Sequence, residues 1–473
     1  MVFSSIPFLF YFLPLFLPLY YIWRSTRARN VVLLVFSVVF YAWGEPWFVL
    51  VMLGSVVVNW RAALAIAAAE PNRRRWVTGA AVTANLLLLG VFKYADFALI
   101  NVNQVLALFG KSVPVPVVEL PLGISFFTFH SISYLIDVHR GSAQPARRLD
   151  NIALYISMFP QLVAGPIIRY KTVARQIDRR RTTWGRAGMG ARIFVIGLAQ
   201  KVLIADEVAR IADAVFDQVM RPTLIEAWVG VSAYTIQIYF DFAGYSNMAI
   251  GFAVAFGFTF PRNFRLPYTS RSITEFWRRW HMSLSTWFRD YLYIPLGGNR
   301  GSAFQTYRNL VTIFLLCGLW HGASWNFVIW GAYHGCLLVI ERAGLGRWLK
   351  RVPDKLAWAY ALIATMLGWV WFRAVDLPHA LNMFAGLVGM HGIGPMDVRV
   401  HLALYPTTLA ALVVGWALSL LPRSNGTPPR QNAVARWWRH RSLPDLAFMT
   451  ALIVFSVLSI GSGTYSPFLY FRF

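Results

Sequence analysis

The sequence predicts an all-α polytopic integral membrane protein, and three observations carry that prediction. Of the 473 residues, 57% are hydrophobic and 14% are charged, where soluble domains carry about 25% charge. Apolar runs of bilayer-crossing length recur along the chain, and the mean hydropathy is +0.52. Basic residues gather between those runs rather than on one polar module. A soluble protein with one very large core is set aside on the same grounds.

The net charge of +24 raises a nucleic-acid reading, which the distribution rejects. Arg24, Arg27 and Arg29 flank one apolar run; Arg73 to Arg75, and Arg140, Arg147 and Arg148, flank others. The densest group runs from Arg169 through Arg179, Arg180 and Arg181 to Arg192, and later groups span Arg342 to Lys355 and Arg423 to Arg441. This is the pattern of loops kept on the cytoplasmic side, near anionic lipid headgroups. The same charge would attract a polyanionic cytosolic ligand such as a nucleotide-bearing thioester.

The elements follow in order. The run from Pro7 to Trp23 has no basic residue before it and ends directly in Arg24-Ser-Thr-Arg-Ala-Arg29. It reads as a retained first span, not a cleaved signal, with its N-terminus outside. Val31 to Trp43 and Trp47 to Trp60 flank Gly44-Glu45-Pro46, which predicts two short or tilted helices. Val77 to Val102 carries Lys93, and Pro114 to Pro121 makes an irregular connection. Apolar segments then fall at Leu122 to Val138, Ile152 to Ile168, Ile193 to Ile204 and Trp228 to Phe260. The last would be roughly 50 Å long as one helix, so two elements or a strong tilt are expected. After a polar stretch from Arg262 to Arg308 come Leu310 to Ile340, Leu356 to Phe372, Leu402 to Leu421 and Ala447 to Ile460. The total is about eleven spans, several of them interrupted. With no repeat or separate soluble module, residues 1–473 read as a single integral membrane domain.

Two segments carry chemistry. His321 lies within Leu310 to Ile340, a run with no Asp, Glu, Lys or Arg. An imidazole deep in hydrocarbon is costly unless it is paired, lines a wet cavity, binds something or moves a proton. A histidine bonded to a backbone carbonyl, with no further role, is the plain alternative. Leu310 to His321 makes about 16 Å of helix, roughly half the hydrocarbon thickness. Gly322-Ala323-Ser324 can interrupt it, with Ser324 capping a second helix, so residues 310–341 read as a broken helix.

The second segment is 272–293. Ser272-Ile-Thr-Glu275 is a capping box, and the helix it starts should run to about Tyr293, before Pro295 and Gly297-Gly298. At helical spacing Trp277, His281, Leu284 and Phe288 share one face, turned away from Arg278, Arg279, Arg289 and Asp290. The segment reads as an amphipathic or re-entrant helix with His281 among its aromatic anchors.

Smaller signals stay open. Cys317 precedes His321 by four residues, so a thiol–imidazole pair stands beside simple packing. Cys317 and Cys336 form no disulfide framework or metal pattern. Asp241 stands in an apolar run, as a functional acid or as the partner of a buried arginine or lysine.

The motifs Glu275-Phe-Trp-Arg-Arg-Trp-His281-Met-Ser-Leu-Ser and Gly318-Leu-Trp-His321-Gly-Ala-Ser-Trp resemble the signature of membrane-bound O-acyltransferases (MBOAT). Further matches are Pro121-Leu-Gly-Ile-Ser-Phe-Phe-Thr-Phe129, Phe159-Pro-Gln-Leu-Val-Ala-Gly-Pro166, Tyr239-Phe-Asp-Phe-Ala-Gly-Tyr245, Asp290-Tyr-Leu-Tyr-Ile-Pro-Leu-Gly-Gly-Asn299 and Trp369-Val-Trp-Phe-Arg-Ala-Val-Asp376. They cover nearly the whole chain in order, and the likeness is greatest to the branch that acetylates alginate.

The resemblance implies an MBOAT-like helical core, with interrupted and interfacial helices around a transmembrane tunnel. It makes His321 the histidine of the reaction centre and His281 the second polar position facing it. Asn247 stands where much of the branch has Asp, which puts an essential acid there in doubt. A neutral histidine can take a proton from an attacking hydroxyl, and a second donor can orient it or polarise a thioester carbonyl. The implied donor is acetyl-CoA from the cytoplasm, with no permanently bound cofactor and no metal. The implied acceptor is an exopolysaccharide such as alginate, reached through a periplasmic, serine-esterase-like acetyltransferase partner. The implied location is the bacterial inner membrane, among its lipids.

Three other readings compete. A polysaccharide or lipid transporter also uses broken helices and intramembrane charge, but no inverted repeat is apparent here. A relative acylating a different cell-envelope polymer would share the motifs. A zinc site built from His281, His321 and His334 lacks local ligand spacing, and His334 reads as a packing residue.

Overall fold

Apolar runs bounded by proline, glycine and arginine become helices almost everywhere the sequence places them. The computed structural model describes residues 1–116, 118–421 and 443–463. The basic group from Arg423 to Arg441 lies outside them. Helix accounts for 76% of the structure, with no strand among the described residues. The chain divides into two compact units.

The first unit comprises Met1–Thr183 and Phe256–Pro261. A π-helical turn, Pro7–Phe12, leads into α1 (Leu13–Ile22), α2 (Thr26–Ala42), α3 (Phe48–Ala68) and α4 (Pro71–Ala107). After these come α5 (Ile124–His139), α6 (Leu149–Ser157), α7 (Phe159–Leu162) and α8 (Tyr170–Asp178). The break expected at Gly44-Glu45-Pro46 separates α2 from α3. An aromatic core sets the packing. Phe12 and Phe16 meet Phe159 edge-on with ring centroids 5.4 and 5.5 Å apart, the geometry that ring quadrupoles favour. Asn59 and Asn85 exchange amide hydrogen bonds of 2.7 and 3.1 Å between α3 and α4, a polar link between otherwise apolar helices.

The second unit comprises Trp184–Ala255 and residues from Arg262 onward. α9 (Trp184–Ala199), a π-helical turn Gln200–Ala205 and α10 (Asp206–Gln218) follow one another without interruption. α11 (Leu224–Ala255) is one helix of 32 residues, not the two elements entertained from its length. No proline interrupts it, and its one mid-helix charge, Asp241, finds a partner on the preceding π-turn. α9 and α11 pack backbone to backbone, since a Cβ on Gly197 would come within 2.6 Å of Gly244 O. The remainder is α12 (Ile273–Arg279), α13 (Met282–Phe288), α14 (Ala303–His321), α15 (Trp325–Ile340) and α16 (Gly346–Trp348). It continues through α17 (Asp354–Arg373), α18 (Leu377–Leu387), α19 (Val398–Ala403), α20 (Pro406–Leu420) and α21 (Leu443–Gly461).

Among the described residues five segments are long and apolar enough to cross a membrane: α3, α4, the α9–α10 rod, α17 and α21. The π-turn with α1, and α20, are apolar but shorter. α15 and α20 have 16 and 15 residues, against about 20 for a full upright span.

Candidate active site

Both histidine motifs lie in the second unit. Ser272 caps α12 as expected, its hydroxyl accepting from Glu275 N–H at 3.0 Å. The Glu275 carboxylate reaches back to Arg271 N–H at 2.9 Å instead of to Ser272. Glu341 adds a second cap, accepting from Ile273 N–H at 2.6 Å and Thr274 N–H at 2.9 Å, where an anion suits the helix N-terminus.

The continuous helix expected from Ser272 to Tyr293 does not form. α12 stops at Arg279 and α13 starts at Met282, with His281 between them in left-handed backbone, φ 41° and ψ 53°. The competing partners come from the loop after α11. Arg265 N–H donates to Arg279 O, and Met282 N–H donates to Asn263 O, both at 2.9 Å. The predicted burial holds despite the break: Trp277, His281, Leu284 and Phe288 are all buried, His281 completely.

α14 begins seven residues earlier than the apolar run, at Ala303, behind a full capping box of Ser302 and Gln305. It ends at His321, and the break over Gly322-Ala323-Ser324 occurs where the sequence placed it. Ser324 holds the N-cap position of α15, but its side chain accepts no capping hydrogen bond. The two helices form a tight antiparallel hairpin. A Cβ on Gly318 would meet Phe327 O at 2.1 Å, and one on Gly331 would meet Phe314 O at 2.3 Å. Small residues at such crossings let backbones touch in apolar surroundings.

Aromatic rings surround the imidazole of His321, whose residue is 5% exposed. Trp320, Trp330 and Phe372 lie 4.9, 5.1 and 5.1 Å away, centroid to centroid, all near perpendicular. Phe372 is held in turn by its neighbour Arg373, which joins α17 to α10 through Asp213 at 2.8 Å and Asp217 at 2.7 Å. His281 packs its ring against Phe242 at 4.6 Å and against Trp320 at 6.1 Å. Trp320 is therefore the shared neighbour of both histidines.

His334 belongs to the same aromatic cluster without joining a metal-like group. Its Nδ1 accepts from Trp277 Nε1–H at 3.3 Å, and its ring lies 5.1 Å from Trp330. Among the described residues no three His, Cys, Asp or Glu side chains gather to hold a metal. Beside Trp277 opens an apolar cleft of about 140 Å³, walled by Leu284, Phe288, Arg289, Phe314 and Cys317. It reaches to one helical turn from His321.

A charged cluster joins the π-turn Gln200–Ala205 to α11. Lys201 on the π-turn meets Asp241 at 2.7 Å and Asp206 at 2.5 Å, each side chain at most 4% exposed. Asp241 is thus one partner of a buried lysine. Asn247 donates to Gln200 Oε1 at 2.7 Å. Sequence reasoning passed over Lys201, although a lone charge inside the run from Ile193 to Ile204 was a usable signal. It also missed Asn263 and Trp320, for which spacing gives no sign.

These features define a helical membrane protein with a buried, histidine-centred site. Residues 80–374, which include both histidines, match the family model for membrane-bound O-acyltransferases. The chain belongs to this family and is an O-acyltransferase of the membrane. It is 43% identical to the probable alginate O-acetylase AlgI of Azotobacter vinelandii, over 100% of both chains. It is 48% identical to the protein of that name from Pseudomonas aeruginosa, over 82% of this chain and 75% of the other. The peptidoglycan O-acetyltransferase of Helicobacter pylori is 38% identical, over 83% of this chain and 81% of its own.

Proposed function

We propose that this enzyme moves an acetyl group from a cytoplasmic thioester, acetyl-CoA, across the bacterial inner membrane for O-acetylation of an exopolysaccharide, alginate or a close relative. The N-terminus is periplasmic, and a periplasmic, serine-esterase-like acetyltransferase is the immediate acceptor or delivers the group to the polymer. The acetylase names of the full-length relatives favour acetyl over larger groups. The arginine-rich connectors supply charge for a donor bearing phosphates.

His321 acts as general base. As the acceptor hydroxyl oxygen attacks the thioester carbonyl carbon, its proton passes to the imidazole. The C–S bond breaks, the proton passes on to the departing thiolate, and histidine returns to its neutral form. His281 supplies the second polar group, orienting the acceptor or donating to the developing oxyanion. All of residues 1–473 serve this one membrane acyltransferase domain, with residues 272–293 and 310–341 as its two histidine-bearing elements. The observation that carries this reading is that both histidines border one indole, that of Trp320, at breaks between helices.

The test supplies purified protein in nanodiscs with radiolabelled acetyl-CoA, the periplasmic partner and polymer. Label transferred to partner or polymer, beyond protein-free controls, supports the reading. Donor left intact by folded protein, with partner and polymer present, counts against acetyl-CoA as the donor.

A further inference from the structure

Among the described residues two non-glycines have left-handed backbone, His281 at φ 41° and Leu266 at φ 46°. They belong to one clasp. Arg265, beside Leu266, donates its N–H to Arg279 O, and Met282, beside His281, donates its N–H to Asn263 O. Left-handed backbone is strained for an L-residue and persists where the surroundings over-determine it. Without such partners, the relaxed state of residues 272–293 is the continuous helix that its capping box and periodicity predict.

Asn263 supplies the over-determination. It is 1% exposed and engages its backbone carbonyl and both ends of its amide. Its carbonyl takes the Met282 N–H at 2.9 Å. Its Oδ1 accepts from Ser283 N–H at 3.2 Å and Ser283 Oγ–H at 2.9 Å, so it caps α13 from outside the helix. Its Nδ2 donates to Ser246 Oγ at 3.0 Å on α11. Ser246 lies one helical turn beyond Phe242, on the same face, and the Phe242 ring packs on His281. One asparagine thus fixes the break and registers it against the helix face that His281 touches.

We propose that Asn263 is the positioning residue for His281: it holds the strained break between α12 and α13 that sets the imidazole against Phe242 and Trp320. The proposal rests on the reading of His281 as the second polar group of acyl transfer. Asn263 touches no substrate in this scheme.

The test compares wild type, Asn263→Ala, His281→Ala and the double variant as full-length protein in nanodiscs, with acetyl-CoA as donor. Asn263→Ala should lower kcat about a hundred-fold, the scale of a misplaced reacting group, with donor KM unchanged. In the His281→Ala background it should cost nothing further. Wild-type kcat in Asn263→Ala, or an equal loss on top of His281→Ala, overturns the proposal. Should Asn263→Ala fail to fold, Ser283→Ala and Ser246→Ala take its place, each expected to lower kcat partially and neither beyond His281→Ala. An unchanged rate in both overturns it. If His281→Ala keeps full activity, the catalytic reading of His281 falls. The clasp is then judged from a structure of Asn263→Ala or the serine variants. Residue 281 leaving positive φ supports it, and residue 281 staying in place refutes it.

Discussion

Lys201 and Asp241 pair at 2.7 Å in the interior of the second unit, and Asp206 meets the same ammonium at 2.5 Å. One cation thus joins the π-turn between α9 and α10 to the middle of α11. Removing one member of a buried ionic group strands the others, at about 3–5 kcal/mol. Lys201→Met should therefore lower unfolding stability in detergent by roughly that amount. Adding Asp241→Asn to Lys201→Met should restore part of the loss, since Asp206 stays without its lysine. Denaturant or thermal unfolding checks both, and a Lys201→Met protein as stable as wild type would contradict the assignment.

The α14–α15 hairpin predicts a second outcome. A methyl at Gly331 would come within 2.3 Å of Phe314 O, a backbone atom that cannot swing aside. Gly331→Ala should cost about 1–3 kcal/mol, as overpacking does. It should also lower acyl transfer, because the helix it displaces ends at His321. Stability and activity measured on the same preparation test this, and a neutral Gly331→Ala would mean that the hairpin is less tightly closed.

Cys317 separates two chemistries. It walls the apolar cleft one helical turn from His321, so a thiol nucleophile and a packing thiol predict different results. We expect packing: Cys317→Ala should retain transfer, and no acetyl label should remain on wild-type protein after denaturation. Acid-stable, hydroxylamine-labile label that disappears in Cys317→Ala would instead make the thiol an acyl carrier.

Particular residues show what was legible in the sequence. His321 stood out because a charge-free run isolates it, and Gly322-Ala323-Ser324 announced the break that follows. Ser272 announced the start of α12, and 3.6-residue spacing placed Trp277, His281, Leu284 and Phe288 in the interior. The break at His281 was not legible. It is made by Asn263, eighteen residues earlier in the chain, and hydrogen bonds across that distance leave no local pattern. Trp320 likewise becomes the common neighbour of two histidines through packing between α14 and the α12–α13 break. Lys201 was legible as a lone charge in an apolar run, but its two carboxylates come from different elements. The single helix α11 was masked by a length that exceeds an upright span.

The proposed role of His321 as the base that carries the proton in acyl transfer rests on the rate of transfer without its imidazole. Transfer of labelled acetyl from acetyl-CoA should be followed for wild type and His321→Ala, with folding verified for both. His321→Ala should lose about 10²- to 10⁴-fold in rate, the range for removing a general base. Transfer at the wild-type rate by a folded His321→Ala protein would contradict it.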